Sequence, residues 1–174
     1  MRCTTLLSGI SILALGITLS LPADAVTQAR RIRAQAGQAC QLSIPTTDTK
    51  VRPKATGFRN EGTTNAFVIC GFPTPDGDLT AFVLNFQPLD TVDHPISCTG
   101  VNGSAFSNPV YVTKNASTGA NPSGGSSLTW DASDFGGTAG SNLPGSGYFS
   151  VTCVLPGQAT IPSGYADYNE DVGA

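Results

Sequence analysis

Tyr148-Phe149-Ser150-Val151-Thr152-Cys153-Val154-Leu155 alternates in one register: Phe149, Val151, Cys153 and Leu155 fall on one side, with Tyr148, Ser150 and Thr152 opposite. A period of two is that of a β-strand, and an apolar row opposite a hydroxyl-bearing row marks a strand with one buried face. The stretch therefore predicts a strand lying on a core, with Cys153 pointing inward. Pro156-Gly157 closes it.

The same rhythm recurs on either side. Ile96-Ser97-Cys98-Thr99-Gly100 alternates as a half-buried strand does. Ala66-Phe67-Val68-Ile69-Cys70 and Leu79 to Phe86 are apolar runs separated by the turn chemistry of Pro73 to Gly77, and together they predict a hairpin. Apart from Thr80 and Asn85, Leu79 to Phe86 is apolar on both faces, which places it centrally. Val110 to Thr113, Ser127 to Trp130, Ala159 to Ile161 and Tyr165 to Tyr168 supply further short candidates. No helical period is sustained after Gly37. Short strands with frequent turns predict an all-β, single antiparallel β-sandwich. Turn residues dominate from Ser104 to Gly147, so long Gly-, Ser- and Asn-rich loops are expected there as contact surface.

Residues 1–25 read as a cleavable export signal. Met1-Arg2 gives a short positive start, Leu6 to Leu21 an apolar run broken by small polar residues, and Ala23-Asp24-Ala25 a small-x-small cleavage site. The run falls short of a membrane span. Residues 26–37, rich in Ala, Gln and Arg, are expected to form a flexible, basic, partly helical leader. The sandwich domain is expected over 38–174. Export to the periplasm or outside brings an oxidising compartment, where Cys40, Cys70, Cys98 and Cys153 become two disulfides. Four cysteines permit three pairings, and the residues alone do not choose among them. Cys40 with Cys70 and Cys98 with Cys153 is the pairing adopted. Their spacing lacks the close C-x₂₋₄-C pairs of a zinc site.

The net charge is −3, yet Arg30, Arg31, Arg33, Lys50, Arg52, Lys54 and Arg59 face only Asp48 within their stretch. Such a segment suits an anionic surface. Without interleaved aromatics it reads better as charge that cancels on folding, so no nucleic-acid partner is expected. His94 is the sole histidine and sits between Asp93 and Pro95, as a solvated turn residue does. No Gly-x-Ser-x-Gly and no His-Glu-x-x-His occurs. Asp76/Asp78, Asp90/Asp93, Asp131/Asp134 and Glu170/Asp171 are turn-forming carboxylates, with a structural calcium as their alternative use and no other cofactor expected. Trp130, Tyr111 and Tyr148, with Tyr165 and Tyr168, are the ring residues able to stack on a sugar; core packing is the competing role for Trp130.

Asn60 to Cys70, Cys98-Thr99, Tyr148 to Pro156 and Tyr168 to Glu170 form a layout that resembles small exported β-sandwich proteins of Gram-negative bacteria, largely of unknown role. The shared elements are an Asn-rich turn, a Val-x-Cys strand, a Cys-Thr strand, and a late Cys-x-Leu-Pro followed by Tyr and Glu. The resemblance implies the fold, export and the same disulfide pairing, and no activity. The functional expectation is a secreted, non-enzymatic β-sandwich with a surface-structural or interaction role. Its partner would be an envelope or extracellular glycan or protein. The alternative is a carbohydrate-binding module using exposed aromatics.

Overall fold

The computed structural model describes residues 26–43, 50–73, 78–145 and 148–173. The export-signal stretch 1–25, Asp48 and Asp76 lie outside the described residues.

Among the described residues twelve strands form two antiparallel sheets packed face to face. The seven-stranded sheet runs β1 (Thr27–Gln35), β12 (Ser163–Asp171), β6 (Leu79–Pro88), β11 (Ala159–Ile161), β4 (Gly57–Asn60), β3 (Val51–Lys54), with β9 (Ser126–Asp131) on the other edge of β6. The five-stranded sheet runs β2 (Cys40–Leu42), β5 (Ala66–Gly71), β10 (Phe149–Leu155), β7 (Pro95–Asn102), β8 (Val110–Ser117). The alternation of β10 is realised: Phe149, Val151, Cys153 and Leu155 are buried and face the other sheet. Phe82 and Trp130 come down from the seven-stranded sheet to meet Phe149, with ring centroids 4.8 and 6.2 Å away. β6 is central, as expected, and buries Phe82, Leu84 and Phe86 on the core side.

Both disulfides form as expected, Cys40–Cys70 and Cys98–Cys153. Each joins residues directly opposite in the ladder of neighbouring strands, β2 with β5 and β7 with β10. They therefore staple within one sheet.

Two expectations are corrected. The leader over 26–37 is not loose, and it is helical only at its last two residues: Thr27–Gln35 is a strand paired with β12 over its whole length, from Thr27 opposite Asp171 to Gln35 opposite Ser163. Only Ala36–Ala39 is helical (α1). Nor do β5 and β6 form a hairpin. β5 pairs with β2 and β10, β6 with β12, β11 and β9, so the two lie in opposite sheets and face each other across the core. Phe72, just after β5, packs on Phe82 with centroids 5.0 Å apart.

β11 and β12 run along the same edge of β6 and are interrupted at Pro162, which has no N–H to give a ladder. At that break the outer partner changes from β4 to β1, and α1 fills the gap, with the Ala36 N–H donating to the Pro162 carbonyl at 3.2 Å. Gly57 is required there. Its φ is +135°, and a Cβ would lie 2.5 Å from the Ile161 carbonyl oxygen.

Among the described residues no helix is long and apolar enough to cross a membrane.

Candidate functional site

The outward face of the five-stranded sheet can be read row by row from the register. One row is Gly71, Ser150, Val101, Tyr111; the next is Gln41, Ile69, Thr152, Thr99, Thr113; the third is Phe67, Val154, Ser97, Asn115. Side chains two apart on a strand share a face, so these rows lie opposite the buried cysteines and valines. No position in them is charged. Neighbouring strands lie about 4.8 Å apart, so the rows span a surface about 20 Å wide. Thr152, Thr99 and Thr113 stand side by side across three strands, and the Oγ1 atoms of Thr99 and Thr113 are 2.8 Å apart in a hydrogen bond.

Three rings rise from this surface. Phe67 is 50% exposed and Tyr111 65%. Tyr148, 63% exposed, extends β10 by one residue: its carbonyl accepts the Gly103 N–H at 2.8 Å, continuing the β10–β7 ladder. All three stand on an uncharged sheet face. Tyr111 and Tyr148, both expected as ligand contacts, thus share one face.

Trp130 does not join them. It is fully buried, and its indole N–H donates to the Val112 carbonyl at 3.0 Å. The expectation of a ligand contact at Trp130 is corrected: on β9, Leu128 and Trp130 face the core while Ser127 and Thr129 face out. Tyr165 and Tyr168 sit on β12 in the other sheet, and Tyr165 carries the Arg31 guanidinium 4.0 Å above its ring. Phe67 went unselected because Ala66 to Cys70 is apolar throughout. The signal was available, since Val68 and Cys70 share a face and Phe67 with Ile69 must take the opposite one.

The expected turn roles hold for Asp93, Asp131 and Asp134, whereas Glu170 and Asp171 are not turn residues but lie on β12, where Glu170 pairs with Arg30. Asp131 accepts the Ser133 N–H at 2.8 Å, and Asp134 accepts the Asp131 N–H at 2.9 Å; together they cap the 3₁₀ turn Ala132–Phe135. Asp93 accepts the Gly119 N–H at 2.7 Å. His94 lies beside a surface cavity of about 370 Å³ that Thr63, Pro95 and Pro156 also line. Its Nε2 pairs with Asp90 Oδ1 at 2.8 Å, while Asp90 also accepts the Val92 N–H at 3.0 Å. The hydrogen bond from His94, then that from Val92, holds the Asp90 carboxyl below its ordinary pKa. The pair closes the turn Asp90 to His94. Among the described residues no three His, Cys, Asp or Glu side chains are grouped to hold a metal.

No protein-family model matches the chain, and no curated protein does. Among solved structures it is similar to the Podospora anserina GH26-CBM35 β-(1,4)-mannanase, with TM-score 0.36, 9% identity, and 78% of this chain matched to 27% of that one. It is also similar to a CBM4 (TM-score 0.33, 12% identity, 83% and 84% covered) and to TmCBM61 in complex with β-1,4-galactotriose (TM-score 0.35, 7% identity, 81% and 88% covered). Likeness of this order says nothing about the ligand of the present chain.

Proposed function

We propose that this is a non-catalytic, exported binding protein whose five-stranded sheet docks a neutral polysaccharide on its outward face. One observation carries the reading: an uncharged surface across five strands, set with hydroxyls and the exposed rings of Phe67, Tyr111 and Tyr148. Sugars present hydroxyls at their edges and C–H bonds on their faces. Threonine, serine and asparagine side chains match the first, and flat rings match the second. A neutral polymer needs no counter-charge and the face supplies none. The two disulfides support an oxidising location, periplasmic or extracellular.

Native gels cast with neutral polysaccharides test this. The wild type is expected to migrate slowly in at least one gel, and the Phe67→Ala/Tyr111→Ala variant to run freely with unchanged thermal stability. Retardation that survives both substitutions, or is absent in a broad panel of neutral polysaccharides, would overturn the assignment.

A further inference from the structure

The outward side of the seven-stranded sheet is charged at both ends, on β1 and on the β3–β4 hairpin. On β1 the outward Arg31 meets Asp167 at 2.6 Å, Arg30 meets Glu170 at 2.7 Å on the opposite side of the strand, and Arg33 forms no ion pair among the described residues. The β3–β4 hairpin differs. Arg52 lies opposite Arg59 in the ladder, and Lys54 follows Arg52 on the same face. All three reach a single carboxylate, Glu61, at 3.2 Å from Arg52, 3.4 Å from Lys54 and 3.9 Å from Arg59. A close charge-assisted pair sits at about 2.7–2.9 Å, and one carboxylate stretched among three cations attains that with none of them. Among the described residues, three cations against one anion leave a local formal charge of plus two.

A second observation concerns the guanidinium of Arg59. Its Nη2 donates to Thr56 Oγ1 at 2.7 Å, whereas its Nε is buried and has no acceptor. A buried donor left without an acceptor is unfavourable. Cations in surplus at an exposed surface call for an acceptor bearing several oxygens. Arg52, 49% exposed on its side chain, leaves the cluster open to solvent.

We infer that Arg52, Lys54 and Arg59 form a binding site for a phosphate monoester. At neutral pH such a group carries nearly two negative charges on three terminal oxygens. It therefore brings the local charge to about zero and offers acceptors to both guanidinium forks and the ammonium. A carboxylate or a phosphodiester brings one charge and leaves the surplus unanswered. The site is on the opposite sheet from the neutral face and does not depend on it.

The test is a titration of ¹⁵N-labelled protein with inorganic phosphate at fixed ionic strength, sodium chloride making up the balance. Amide signals of Arg52, Lys54 and Arg59 are expected to move saturably. The Arg52→Gln/Lys54→Gln variant should bind about tenfold more weakly, the usual effect of losing a charged hydrogen bond. Glu61→Gln, which removes the competing carboxylate, should bind several-fold more tightly. Signals that move no further than in chloride alone, or a Glu61→Gln variant with unchanged or weakened binding, would overturn the site, because a closed ion-pair cluster predicts both. Sedimentation with phosphatidic acid vesicles, against phosphatidylcholine alone, separates the sources. Co-pelleting puts the phosphate on a lipid surface, and saturable binding without co-pelleting puts it on a soluble ester; either upholds the site.

Discussion

Gly100 and Trp130 show how one residue's absence of a side chain admits another's bulk. A Cβ at Gly100 would sit 2.7 Å from Cδ1 and Nε1 of Trp130 and 3.0 Å from Cζ of Phe149. Gly100→Ala should therefore push the indole from its place under β7 and destabilise the fold by about 1–3 kcal/mol, read from urea unfolding at unchanged m. A loss under 0.5 kcal/mol would mean the ring has room to shift. The parity of Leu128 and Trp130 already pointed to the core, but with Ser126-Ser127 before it and Asp131 after it the run is short, and a ring on a short strand is equally compatible with exposure. Charge at single residues gives a pH prediction. Asp90 has a folded pKa below its ordinary value because His94, then Val92, hydrogen-bonds its carboxylate. A depressed folded pKa contributes stability that is complete above the unfolded value of about 4 and is lost as pH falls through the folded one. Thermal midpoints of the wild type should decline below pH 4 more steeply than those of Asp90→Asn; parallel declines would remove Asp90 from the acid limb.

At the scale of elements, what was legible followed from burial. β10, β7 and β6 announce themselves because one face or both must be apolar to meet the core. β1 does not. Its side chains are exposed on both faces apart from Ile32 and Ala34, so nothing alternates, and its Ala, Gln and Arg favour helix locally. It is a strand because β12, more than a hundred residues later, offers a free edge and carboxylates at Asp167 and Glu170. A non-local partner leaves no mark on local composition. The same applies to the outward face: its rows are assembled from five strands, and no segment contains them. It follows that β1 holds the body together little. A chain beginning at Ala36 should fold with native near-ultraviolet circular dichroism, yet expose the β12 edge and self-associate more readily on light scattering. Loss of the cooperative transition would instead make β1 integral. β2 stands at the other extreme, three residues long at a sheet edge and held by Cys40–Cys70. In the chain-entropy picture, replacing both cysteines by alanine removes about 3.6 kcal/mol for its 30-residue separation, against about 4.2 kcal/mol for the 55 residues of Cys98–Cys153. Denaturant midpoints of the two double variants should fall in that order, the second further through the cavity left in the core.

The whole molecule presents two unlike faces because a sandwich turns both sheets outward and the sequence distributes charge between them unequally. Across the five-stranded sheet the outward face carries no ionisable group except the Tyr111 and Tyr148 phenols. Across the seven-stranded sheet the rows run Arg31, Asp167, Ala81, Asp131 at one end and end in Arg52 and Arg59 at the other. The segregation of bases into residues 30–59 was plain in the sequence, but whether they cancel is decided by distances between strands: Arg30 and Arg31 on β1 each meet a carboxylate, Arg33 meets none among the described residues, and the three bases around Glu61 share one. Two binding modes on one body should then answer differently to salt. Screening shortens from about 10 Å at 0.1 M to about 3 Å at 1 M ionic strength, which weakens attraction between exposed charges and leaves ring stacking and neutral hydrogen bonds nearly untouched. Raising sodium chloride from 0.05 to 0.5 M should therefore weaken phosphate binding at least tenfold while neutral-polysaccharide retention changes less than twofold. If both fall together, the ring-bearing face is reading charge on its ligand, and the polysaccharide assigned to it is not neutral.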